Sequence, residues 1–153
     1  MTATPLASLQ QHASASLRPG EEFLAGIRVE VPEDGRASRD AAYGVAIGSV
    51  LQLRDQKRRQ DAAVIPITGA GAYVGVTGAR VLVFASGFGL HPTELLGAVD
   101  RAGVTLSTGV YRVGLVKKRR FRLLDGDTLL LDAVCSAHNP DLASLGTLFP
   151  TAD

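Results

Sequence analysis

A chain of 153 residues with 46% hydrophobic and 20% charged side chains is long enough for one domain with a real core, and too apolar to be disordered throughout. Its 16 Lys+Arg against 15 Asp+Glu leave a formal charge of +1, which excludes nucleic-acid binding carried by overall charge and confines any basic site to a local cluster. The single cysteine, Cys135, excludes an internal disulfide and a cysteine-built zinc site, so a reducing, cytoplasmic setting is the default expectation.

No Lys or Arg precedes an apolar run at the N-terminus and no run approaches 18 uninterrupted apolar residues. The expectation is therefore neither a signal peptide nor a membrane span, and any membrane contact would be peripheral, at the inner face. In residues 1–18, Thr4 can cap a helix, Pro5 suits its first turn, and Leu6, Leu9, Ala13 and Leu17 recur at spacings of three and four. Arg18-Pro19-Gly20 stops that helix, and Glu22 to Val31 reads as a first strand ending at Pro32. Glu33 to Asp40 is polar and turn-rich, a loop. In Ala41 to Asp61, Tyr43, Ile47, Val50 and Leu51 suit a helix, while Gly44, Gly48 and Ser49 each weaken one by up to about 1 kcal/mol. The balance favours a helix, and 33–67 is expected to be a mobile or helical insert between strands.

From Tyr73 the pattern changes to strands and tight turns. Tyr73 to Val76 and Val81 to Phe84 flank Thr77-Gly78-Ala79 as a hairpin. Gly87 to Pro92 is a turn, Thr93 to Ala98 a short connector, Val99 to Leu106 a strand, and Val110 to Val116 alternates weakly. Phe121 to Leu124 and Thr128 to Val134 flank Asp125-Gly126-Asp127, a strong hairpin signal. Asn139 caps, Pro140 opens, and Leu142, Leu145 and Leu148 mark one edge of a last helix over 139–149. The predicted class is mainly β (α+β), with antiparallel strands and a helix at each end.

Tyr73-Val74-Gly75-Val76-Thr77-Gly78-Ala79-Arg80-Val81-Leu82-Val83-Phe84 resembles the pleckstrin-homology-like and GRAM-like superfamily, in which a strand ends in Thr, turns, and resumes as Arg before an apolar strand. Leu17 to Glu22 resembles the lead-in to that family's first strand, and Phe121 to Val134 with Asn139 to Leu148 its final hairpin and closing helix. Gly78-Ala79 departs from the usual polar turn residues. The resemblance implies a single domain over 1–153, a partly open antiparallel β-barrel plugged by the terminal helix. Such an arrangement also covers strand edges. It implies structural roles for Thr77 and Arg80, the hydroxyl satisfying the turn and the guanidinium anchoring it to a neighbouring carboxylate.

Lys117-Lys118-Arg119-Arg120, with Arg112 and Arg122 nearby, is the sharpest functional signal, because adjacent cations repel one another and add nothing to a core. At about 1 kcal/mol per cation near an anionic surface, four give a dissociation constant near 1 mM, too weak for stable recruitment. Lys57-Arg58-Arg59 on the same face would raise the total to about 7 kcal/mol, or roughly 10 μM, before screening. The bland alternative is a set of solvated charges that keep sheet edges apart.

Gly69 to Gly75 has glycines spaced almost as in a dinucleotide loop, but a strand follows, and no helix N-terminus is there to receive a pyrophosphate. Asp132, Cys135 and His138 recur at spacing three, which on a strand puts Asp132 and Cys135 on opposite faces; a buried cysteine and a surface histidine are the expectation. Ser86 and His91 lack the strand, nucleophile and helix of a hydrolase elbow. No paired carboxylates and no phosphate loop occur, and aromatic residues are 5% with no tryptophan, sparse for stacking on nucleic acid. The expectation is a non-catalytic intracellular binding module without cofactor or metal. It would act in protein interaction or self-assembly through the small and apolar residues of Ala41 to Leu53, and alternatively in binding anionic lipid or phosphate through Lys117, Lys118, Arg119 and Arg120, joined by Lys57, Arg58 and Arg59. Sparse Lys beside abundant Arg, Ala and Gly points to a bacterial, high-GC origin.

Overall fold

A computed structural model describes residues 5–32, 62–67, 71–87, 91–113 and 115–150. The leading helix α1 (Pro5–Ala13) runs on into a 3-10 turn, Ser14–Ser16. Strands β1 (Phe23–Val29), β2 (Ala72–Thr77), β3 (Arg80–Ser86) and β4 (Pro92–Asp100) form one antiparallel sheet in that spatial order. The second sheet holds β5 (Val104–Ser107), β6 (Val110–Val113), β7 (Val116–Asp125) and β8 (Thr128–Ser136). Here β5 and β6 lie end to end along one edge of β7, against Arg122 to Asp125 and Val116 to Arg119, while β8 pairs with the other edge. Helix α2 (Pro140–Gly146) closes the chain, its first turn held by Asn139 Oδ1, which accepts the Asp141 N–H at 2.9 Å.

Period-two patterning explains which faces meet. Val74, Val76, Val81 and Val83 point from the first sheet into the main core, where Phe121, Leu123, Leu131, Ala133 and Cys135 of the second sheet meet them. Tyr73, Leu82 and Phe84 point the other way and pack under Leu9 and Ala13 of α1. Both faces of the first sheet are thus covered, so β2 is buried along its whole length. Leu145 of α2 and Phe149 beyond it plug the main core.

The architecture is mainly β, in two antiparallel sheets that do not close into a barrel. One corner is joined by Glu30 and Val134, which exchange two backbone hydrogen bonds of 2.8 and 2.9 Å. At the other corner β4 turns through Arg101 to Gly103 into β5, and among the described residues no ladder joins the two strands. Two strand expectations need correction. Thr93 to Ala98 is not a connector but the middle of β4, and the strand expected over Val99 to Leu106 is broken at Arg101 to Gly103. Gly97 misled the pattern: Ile65 sits over it so closely that a Cβ there would lie 2.9 Å from Ile65 Cγ1, so the glycine belongs to the packing and not to a loop.

Residues 62–67 bring Ile65 and Ile67 into the main core, and the Val64 and Ile65 N–H groups donate to the Leu129 and Leu130 carbonyls of β8. The segments 33–61, 68–70 and 88–90 lie outside the described residues. The Asp-Gly signal holds: Gly126, at φ +58°, takes the first of the two loop positions between β7 and β8, where a twisted hairpin needs positive φ.

Candidate functional site

The basic run lies in the body of β7, so alternation divides it between two faces. Lys117 and Arg119 share the face of Phe121 and Leu123, while Lys118, Arg120 and Arg122 share the opposite one. On the latter face Lys118 Nζ meets Glu30 Oε2 at 2.9 Å and Arg122 Nε meets Asp132 Oδ1 at 3.1 Å. Lys118 and, to a lesser extent, Arg28 hold the Glu30 carboxyl below its ordinary range. Arg120 is also engaged. These three cations serve the sheet.

The other face differs. Arg112 of β6 stands directly opposite Lys117, and Val110 directly opposite Arg119. Like charges facing each other across a ladder destabilise it. The side chains of Arg112, Lys117 and Arg119 form no hydrogen bond or ion pair with the described residues, whereas their backbones belong to the ladder. At the turn of the same hairpin Leu115 is fully exposed and Val116 is 57% exposed, while Val110, at the other end of β6 beside Arg119, is 56% exposed. A turn normally carries polar or conformationally special residues, and this one presents leucine and valine to water. The tip escaped the sequence reading because Val110 to Val116 looked like one weak strand; the available signal was Gly114-Leu115, a glycine step inside an apolar run.

The Lys57, Arg58 and Arg59 cluster and the Ala41 to Leu53 segment lie outside the described residues. Thr77 and Arg80 sit far from the basic face, at the β2–β3 turn. Thr77 Oγ1 accepts the Arg80 and Ala79 N–H groups at 2.8 and 3.1 Å and donates to Glu21 Oε2 at 2.8 Å. Arg80 grips the same carboxylate from Nε and Nη2 at 2.9 and 2.6 Å, and Nη2 also donates to the Ser16 carbonyl at 2.7 Å. The side chains of Arg80 and Glu21 are only 9% and 3% exposed. Arg80 first, then the Arg18 N–H, hold Glu21 well below the usual carboxylate range. Arg80 is thus neutralised by Glu21 and buried beside it, a structural anchor of the turn.

Asp132 faces Arg122 and Cys135 faces the core, on opposite sides of β8. Burial pushes the Cys135 thiol up to about 11, so it carries almost no thiolate at neutral pH. A thiol reagent at pH 7 should therefore react with Cys135 only in denaturant; rapid labelling of the native protein would contradict this. Ser86 is buried with its hydroxyl unpartnered, and no hydrogen bond links it to the exposed His91. Among the described residues no three His, Cys, Asp or Glu side chains are grouped to hold a metal ion, and no helix is long and apolar enough to cross a membrane.

Neither protein-family models, nor curated proteins, nor solved structures yield a match to this chain.

Proposed function

We propose that this protein is a non-catalytic binding module of pleckstrin-homology-like architecture that docks peripherally on anionic membrane surfaces through the tip of the β6–β7 hairpin. The observation that carries this reading is the fully exposed Leu115, followed by half-exposed Val116 and backed by the unpaired, mutually opposed Arg112 and Lys117. An apolar tip costs solubility and a like-charge pair costs stability; an anionic bilayer relieves both, taking the leucine into its interface and setting phosphates beside the cations. The architectural part of the proposal is supported by the four-stranded sheet facing β5–β8, by the Thr77–Arg80 turn, and by the terminal helix against the core.

Arg112, Lys117 and Arg119 contribute about 1 kcal/mol each near an anionic surface, and burial of Leu115 contributes about 2 kcal/mol. With part of Val116, the total is about 5–6 kcal/mol, a dissociation constant between about 40 μM and a few tenths of a millimolar. Docking would be reversible. Flotation with phosphatidylcholine vesicles, with and without phosphatidylserine, tests it: the protein should rise only with the anionic vesicles, and less as salt shortens the Debye length from about 30 Å at 0.01 M to about 8 Å at 0.15 M. Absence of binding to anionic vesicles at low salt would defeat the proposal and turn the hairpin tip into a candidate surface for a protein partner.

A further inference from the structure

Beside the basic face, between α2 and the inner side of β5 and β7, lies a cavity of about 290 Å³. Its apolar lining comes from Leu106, Leu142 and Ala143, and its polar lining from Arg119, Thr108 and Asn139. Each of these three polar groups has donors to spare. The Arg119 guanidinium and the Thr108 hydroxyl make no hydrogen bond with the described residues. Asn139 spends its Oδ1 on the Asp141 N–H, which leaves the Nδ2 amide hydrogens unused. Among the described residues no acidic side chain lines the cavity. Among the described residues Arg28 pairs with Glu30, Arg80 with Glu21, Arg122 with Asp132, and Arg101 donates to the Leu148 carbonyl at 2.9 Å. The side chains of Arg18, Arg112 and Arg119 have no such partner, and of these three Arg119 lines this cavity.

We infer that this cavity binds a small organic carboxylate carried on an apolar body. Three convergent donors and no acceptor charge select an oxyanion, and a planar guanidinium matches a carboxylate in two parallel hydrogen bonds. The charge count favours a monoanion. Arg119 is the only cation among the described residues of the lining, and a dianionic phosphate would leave one charge uncompensated in a partly apolar site. The volume lies near the lower end of the range for small-molecule pockets, roughly 300–1,000 Å³, which limits the apolar body to a short chain or single ring. The ligand would lie across the α2–sheet junction, its carboxylate at Arg119 and its apolar part on Leu106 and Leu142. This inference shares Arg119 with the proposed docking face and otherwise rests on the cavity, and its test contains no bilayer.

Sodium octanoate is the probe, with 1-octanol and sodium acetate as controls, in an amide-resolved NMR titration of the full chain at neutral pH. Octanoate should give saturable shifts centred on residues 106–108, 119 and 139–146, with octanol and acetate each at least tenfold weaker. Arg119→Gln should weaken octanoate at least tenfold while leaving the rest of the spectrum and the octanol response unchanged, since the native side chain anchors nothing. Ala143→Leu, at the exposed rim of the cavity, should block it and abolish octanoate binding with Arg119 intact. Octanoate shifts that do not saturate, that centre elsewhere, or that survive Arg119→Gln undiminished would overturn the assignment.

Discussion

Arg80→Met lowers the melting temperature by roughly 10 °C, the largest stability effect expected of any single polar substitution in the described residues. The side chain is long enough to be replaced without an obvious void, so the loss is electrostatic. Arg80 supplies two of the hydrogen bonds to Glu21 and one to the Ser16 carbonyl, and its removal strands a carboxylate whose side chain is 3% exposed. Leaving one half of a buried pair is far more costly than removing both, and a destabilisation of that class lowers the melting temperature of a 150-residue domain by several to many degrees. The pH dependence separates this cause from general packing loss. Arg80 holds the Glu21 carboxyl well below its ordinary value of 4.5, so the clamp contributes fully above about pH 4.5. Below that, the unfolded chain takes up protons that the folded one refuses, and the contribution is lost progressively. Lys118 acts on Glu30 in the same direction. The gap in melting temperature between the native protein and Arg80→Met should therefore be widest near neutral pH and close as pH falls below about 4.5. A gap of constant size from pH 7 to pH 3 would contradict the clamp.

Arg112→Glu combined with Lys117→Glu reduces binding to anionic vesicles by two to three orders of magnitude at low salt. Each reversal removes about 1 kcal/mol of attraction and adds a comparable repulsion, and about 4 kcal/mol in total is nearly a thousandfold. The same double variant should be no less stable than the native protein, because it exchanges one like-charge cross-strand pair for another. Leu115→Asp should lose about a hundredfold, through the missing insertion of the leucine and the repulsion of the new carboxylate. Salt distinguishes the two: screening should shrink the effect of the charge reversals and leave most of the Leu115 effect in place. Lys118→Glu is the internal control, with a smaller effect, since Lys118 already spends its charge on Glu30.

What the sequence disclosed follows from how local each signal is. The Asp125-Gly126-Asp127 hairpin, the Asn139-Pro140 helix start and the α1 stripe rest on neighbouring residues and are legible in the chain. Glu21, by contrast, meets Thr77 and Arg80 across 56 and 59 residues, and no local pattern announces it. Thr93 to Ala98 reads locally as a connector, and the reason a glycine belongs in that stretch of β4, the contact of Gly97 with Ile65, is tertiary. The four-cation run is conspicuous as charge, but its division between faces depends on strand phase, and Glu30, the partner of Lys118, lies 88 residues away in the chain. The three cations left over, Arg112, Lys117 and Arg119, gain meaning only from register, which sets the first two opposite each other and the third beside a cavity.

Because the chain contains no tryptophan, Leu115→Trp places a single emission reporter at the hairpin tip. On mixing with vesicles containing phosphatidylserine, its emission should shift to the blue and be quenched by brominated acyl chains, while phosphatidylcholine vesicles leave it unchanged. Emission that stays that of a water-exposed indole in the presence of anionic vesicles, at a salt concentration where the protein co-floats with them, would show that the tip does not enter the bilayer and would contradict docking through the β6–β7 hairpin.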